Sequence, residues 1–201
     1  MASKNDSMIT DPDMLTEDEP NYKAPAVKPL QDILATDKED ESLQKYKAAL
    51  LGSAVGGGNI IVKPNDPRRV LVQSLQLVVD GRPDVTIDLT DVNNVKGKKF
   101  VMKEGCHYRL RINFYVQREI VAGLKYVQKV QRLSVQVDKT TNMVGSYPPS
   151  EKIHSYQTPV EEAPSGMMAR GTYNIKSLFT DDDQNEHLKW EWVLEIKKDW
   201  E

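Results

Sequence analysis

The sequence predicts an all-β fold, an immunoglobulin-like antiparallel sandwich, preceded by a flexible arm whose short helices order on a partner. Three observations lead there. From about residue 60 onward the apolar residues recur with period two, the spacing of half-buried strands. Turn signals break these runs at short intervals, and no long helical pattern lies between them. The 201-residue chain also changes composition near residue 58, which separates an arm (1–58) from a sandwich (59–201). A single cysteine leaves no Cys…Trp…Cys spacing, so the likeness to immunoglobulins concerns architecture alone.

The arm comes first. Residues 1–58 hold 11 Asp and Glu against 6 Lys, and their aromatics are Tyr22 and Tyr46. That segment lacks the apolar mass to offset its ordering entropy. One piece reads as a helix over about 40–51: Asp40 caps its start, Gly52 stops it, and Leu43, Tyr46 or Lys47, Leu50 and Leu51 form a stripe. A dozen residues make a marginal helix in water, which suits folding onto a partner. A weaker helical turn is expected over residues 30–35, started by Pro29. The Gly-rich run from Gly52 to Asn59 forms the hinge.

The sandwich strands follow. Val70–Val79 is a strand, and Gly81-Arg-Pro-Asp84 a turn. Val85–Leu89 and Lys99–Lys103 are shorter strands, and Tyr108, Leu110, Ile112, Phe114 and Val116 mark the inner face of the next. After a break near Ala122-Gly123, a strand runs to Val137, and a turn is expected at Gly145-Ser-Tyr-Pro-Pro149. Gly171–Phe179 and His187–Lys198 complete seven to nine strands. In the last strand Leu188, Trp190, Trp192, Leu194 and Ile196 share one face, while Lys189, Glu191, Glu195 and Lys197 share the other. Two adjacent inward indoles can fill a core or line an apolar slot.

Chemistry is sparse. A net charge of -3 and a pI near 5.7 argue against a nucleic-acid binder that relies on phosphate contacts. His107, His154 and His187 show no metal spacing, and Cys106 cannot build a thiolate site alone. Asp181-Asp182-Asp183 reads as a charged turn. No phosphate-cradling loop occurs. An enzyme is not expected, nor a cofactor. The opening residues lack the apolar core of a signal peptide, and no apolar run approaches the roughly 18 residues of a membrane span. A cytoplasmic protein without stable membrane insertion is expected.

The helix Asp40–Gly52 and the runs Met102–Arg109, Arg118–Tyr126, Met143–Tyr147 and Thr158–Trp200 together resemble the Rho guanine-nucleotide dissociation inhibitors. The resemblance is continuous from about Tyr22, and its TPVEEAP, ARG-Tyr, FTDDD and WEW-KKDW blocks are specific as a set.

The resemblance implies a binder of prenylated, preferentially GDP-bound Rho-family GTPases. Such a protein extracts them from membranes, holds their geranylgeranyl group between its sheets and slows GDP release through its arm. The matching positions place Leu75, Leu77, Phe100, Tyr108, Ile175, Trp190 and Trp192 along the isoprenoid slot. They place Asp40, Tyr46, Leu50 and Leu51 on the GTPase switch regions, and Glu161, Glu162 and Asp183 on its basic tail. Lys99 and Pro29 stand where better-known members carry serines, so kinase-driven release does not carry over there; Thr172 keeps a hydroxyl. The alternative from another class is a lipid-carrier sandwich that shuttles prenylated or acylated proteins without control of nucleotide exchange. Such carriers lack a switch-binding arm.

Overall fold

A computed structural model describes residues 60–200, together with Ser7–Met8 and Met14. The expected helix over 40–51, the turn over 30–35 and the glycine hinge lie outside the described residues. Among the described residues there are eleven strands: β1 (Ser7–Met8), β2 (Val70–Val79), β3 (Val85–Asp88), β4 (Lys99–Lys103), β5 (His107–Val116), β6 (Val121–Arg132), β7 (Val135–Tyr147), β8 (His154–Gln157), β9 (Glu161–Glu162), β10 (Gly171–Thr180) and β11 (Asn185–Lys197). They form two sheets.

The larger sheet has the order β1-β11-β10-β6-β7, with β4 on the same edge of β11 as β1. The smaller has the order β3-β2-β5-β8, with β9 also pairing β5. Their inner faces meet in one core. Val72, Leu75, Leu77, Leu110, Ile112 and Phe114 come from the smaller sheet, and Phe100, Tyr126, Ile175, Phe179, Trp190, Trp192 and Ile196 from the larger. This is the all-β sandwich that the period-two pattern predicts.

Chain entry into the sandwich is fixed by one buried side chain. The Gln117 amide nitrogen donates to the carbonyls of Asp66 and Arg68 at 2.8 and 2.7 Å. Its oxygen accepts from the backbone N–H groups of Val62 and Lys63 at 3.0 Å each. A loop without ladder partners thus has its backbone groups satisfied against the sheet.

The structure departs from the expected strand plan in three places. First, the strand read as ending at Val137 is a hairpin, β6 and β7, turning at Leu133-Ser134, whose φ angles of 48° and 66° are both left-handed. Such turns usually announce themselves with Asn-Gly, and Leu-Ser carries no such signal. Second, β7 continues through Gly145 to Tyr147, where a turn was expected; Gly145 pairs with Leu124 at an irregular register instead. Third, β4 runs parallel to β11, the sole parallel pairing among the described strands. Its neighbours in sequence belong to the smaller sheet, so β4 reaches the larger one by crossing over.

The break near Ala122-Gly123 is a bulge in β6. Gly123 has φ +60°, and a Cβ there would lie 1.8 Å from an Asp182 carboxylate oxygen. The left-handed backbone favours glycine, and a Cβ would force the Asp182 side chain to move.

Candidate functional site

The site grows from the alternation of β11. Leu188, Trp190, Trp192, Leu194 and Ile196 are all buried, and each indole is 2% exposed. Register then decides their neighbours. Ile175 on β10 faces Trp192, and Ser177 faces Trp190. Phe100 on β4 pairs with Leu194 and meets Trp192 edge-on at 5.2 Å. Across the sandwich, Leu75 and Leu77 pair with Ile112 and Leu110. Leu75, Leu77, Phe100, Ile175, Trp190 and Trp192 therefore belong to one continuous apolar cluster, with Tyr108 packed at its margin.

A polar relay runs through this cluster. The Trp192 indole N–H donates to Ser177 Oγ at 2.9 Å. The Ser177 hydroxyl lies 2.9 Å from the Tyr126 phenol, which donates to Gln128 Oε1 at 3.1 Å. With Tyr126 donating to Gln128, Ser177 donates to Tyr126, and each hydroxyl gives one proton. Burial is the first cause that holds the Tyr126 phenol well above its ordinary pKa. Trp190 stacks on Tyr126 at 5.9 Å and 18°, and its own N–H has no acceptor among the described residues. Ser177, Tyr126 and Gln128 were not singled out in the sequence. Inner-face parity would have placed them, but polar residues on an apolar face gave no reason to pair them.

At one end of the cluster stands the Tyr108 phenol, which donates to Glu161 Oε2 at 2.7 Å. Burial first, then the Glu161 charge, pushes the Tyr108 proton far above its usual pKa, so it stays a donor. Glu161 and Glu162 pair as β9 with Tyr108 and His107, and Glu162 is exposed beside them. An apolar cluster that ends in a phenol–carboxylate pair suits a ligand with a greasy body and a cationic neighbour.

Asp183 does not join this acidic edge. It sits in the β10–β11 turn, whereas Glu161 lies by the start of β5, at the opposite end of the sandwich. Arg69, just before β2, contacts Asp181 at 3.7 Å, which fixes that turn at the other end. The ten residues of β10 span about 30 Å between the two ends. Strand parity says nothing about which end of a sheet a turn occupies, so the sequence could not separate them.

The expected charged turn is present, and one of its acids is buried. Asp182 is exposed, but Asp181 is 3% exposed. It accepts from the Asn185 backbone N–H at 3.0 Å and contacts His187 Nε2 at 2.9 Å. Burial alone would raise its pKa; hydrogen bonds and charge from His187, then hydrogen bonds from Asn185, outweigh this and hold it below the ordinary value. Cys106 has its thiol pKa raised, first by burial, the opposite of what a reactive thiolate needs. Among the described residues no cluster of His, Cys, Asp and Glu could hold a metal ion. No helix among them is long and apolar enough to cross a membrane. Asp40, Tyr46, Leu50 and Leu51 lie outside the described residues.

The family described as RHO protein GDP dissociation inhibitor matches residues 8–199, starting earlier than the resemblance read from Tyr22. Rho GDP-dissociation inhibitor 1 of Homo sapiens is 53% identical over 182 residues, covering 90% of this chain and 87% of that protein. A probable rho GDP-dissociation inhibitor of Caenorhabditis elegans is 45% identical, covering 89% and 92%. Rho GDP-dissociation inhibitor 3 of Bos taurus is 42% identical, covering 100% and 88%. These names describe regulators, not catalysts. The chain belongs to the Rho GDP-dissociation inhibitor family.

Proposed function

We propose that this chain binds prenylated, GDP-bound Rho-family GTPases, takes their geranylgeranyl group between its sheets, draws them off membranes and slows their GDP release. The observation that carries the reading is the single inner-face cluster of Leu75, Leu77, Phe100, Ile175, Trp190 and Trp192, ending at the Tyr108–Glu161 pair. Burying an isoprenoid at about 0.8 kcal/mol per CH₂-sized unit is worth on the order of 10 kcal/mol, comparable to what a bilayer offers. A dry slot can then compete for the lipid.

Glu161 and Glu162 at the mouth would attract the basic residues beside a prenylated cysteine, which anionic lipids also attract. Exposed charges of this kind set encounter rate more than affinity. Asp183, at the other end, would meet the body of the GTPase. The arm, through Asp40, Tyr46, Leu50 and Leu51, would restrain the switch regions. The protein acts without a cofactor and from the cytoplasm.

A geranylgeranylated peptide with a basic flank tests the slot. Its addition should change tryptophan fluorescence and raise the melting temperature; a ligand at 100 times its Kd adds about 2.7 kcal/mol by linkage. The unprenylated peptide should do neither. No thermal shift at saturating lipidated peptide would remove the slot from the account.

A further inference from the structure

The outer face of the larger sheet carries an arrangement that the slot does not explain. Lys176 on β10 lies directly opposite Lys129 on β6, and Lys129 lies opposite Lys139 on β7. Like charges directly opposed across strands are destabilising, and Lys129 is in addition 7% exposed. Glu191 lies 3.8 Å from Lys176 at one end of this basic row.

In the next row lie Leu178 and Val127, opposite each other, both apolar and both 0% exposed although they face away from the core. They form a separate cluster with Met14, itself 1% exposed. Six residues earlier, Ser7–Met8 pairs antiparallel with Asn185 and Glu186 at the edge of β11. The reach is sufficient. Glu186 precedes Lys189, the neighbour of Leu178, by three positions. About 10 Å along the strands and about 10 Å across them then separate the two contacts. Six extended residues cover about 20 Å.

We infer that the outer face of the larger sheet is a docking surface for the chain's own acidic N-terminal tip. Met14 fills the pit between Val127 and Leu178, and the acids of the tip supply countercharge to the row Lys176, Lys129 and Lys139. Charge complementarity supports this occupant. Residues 1–21 carry six acids (Asp6, Asp11, Asp13, Glu17, Asp18 and Glu19) against Lys4. The strand contact at Asn185–Glu186 also covers part of an edge that would otherwise be open for pairing with another chain. This gives the tip a task apart from the GTPase reading and independent of it.

Zero-length carbodiimide cross-linking of the free full-length chain tests the inference. Mixing light and heavy isotope-labelled protein separates links within one chain from links between chains. Links within one chain from acids of residues 6–19 to Lys129, Lys139 or Lys176 are expected. They should fall in about 0.5 M salt, where screening acts within a few ångströms. Met14→Asp should cut them at least about fivefold, because it removes an apolar anchor and would bury a charge, while Met14→Leu should keep them. Absence of these links, or links equally strong in Met14→Asp, would overturn the inference.

Discussion

Replacement of Asp181 by alanine should destabilise the sandwich by about 3–5 kcal/mol, the range for removing one partner of a buried charged network. The carboxylate ties the β10–β11 turn to three groups: the Asn185 backbone and side chain, His187, and Arg69 from the entry to the smaller sheet. Without it the fully buried His187 side chain and the largely buried Arg69 lose a common anionic partner. Chemical denaturation of wild type and variant measures the loss. The carboxyl's pKa is lowered from 3.8 in the folded chain, so its contribution is present above about pH 4 and fades as the pH falls through the folded value. Asp181→Asn should flatten that part of the acid limb. An acid limb unchanged in the variant would mean the network carries little of the stability.

Truncation of Trp192 should cost a similar amount for a different reason. Trp192→Ala removes the edge contact to Phe100 and the donor to Ser177, and leaves a cavity among fully buried neighbours, typically about 3–5 kcal/mol for an aromatic. The slot reading adds an effect on ligand. If about 60 Å² of the indole meets the isoprenoid, its loss removes about 1.5 kcal/mol, roughly tenfold in affinity. Trp192→Phe keeps most of the volume and should retain the fold, while losing the Ser177 hydrogen bond. Anisotropy of a labelled geranylgeranylated peptide reads both variants. Wild-type affinity in a folded Trp192→Ala chain would place the lipid elsewhere.

Much of this sandwich is legible in the chain. β2 and β4 fall at the residues that alternation and turn chemistry predict, and β11 points its two indoles inward as its spacing requires. Local signals suffice there because a half-buried strand writes its burial into every second residue. The β6–β7 turn stayed hidden because Leu133 and Ser134 adopt left-handed backbone without glycine or asparagine. β8 and β9, four and two residues long, are too short to show a period. The burial of Asp181 depends on Arg69, more than a hundred residues away in sequence, and the separation of Asp183 from Glu161 depends on topology. Neither is written locally. Trp190 and Trp192 were legible as inner-face positions, whereas the relay through Ser177 and Tyr126 needed the cross-strand register.

The proposed function divides the labour: the sandwich would hold the lipid and the arm would restrain the nucleotide switch. Release of labelled GDP from a geranylgeranylated Rho-family GTPase tests it, with the full chain, with residues 59–201, and with Asp40→Ala. The full chain should slow release. Residues 59–201 should still bind the lipidated peptide yet leave release at its uninhibited rate. Asp40→Ala should weaken GTPase binding at least about tenfold, the consequence of losing a buried charged contact worth about 2 kcal/mol or more. Slowing of GDP release by residues 59–201 equal to that of the full chain would contradict the account and favour a lipid carrier that leaves nucleotide exchange alone.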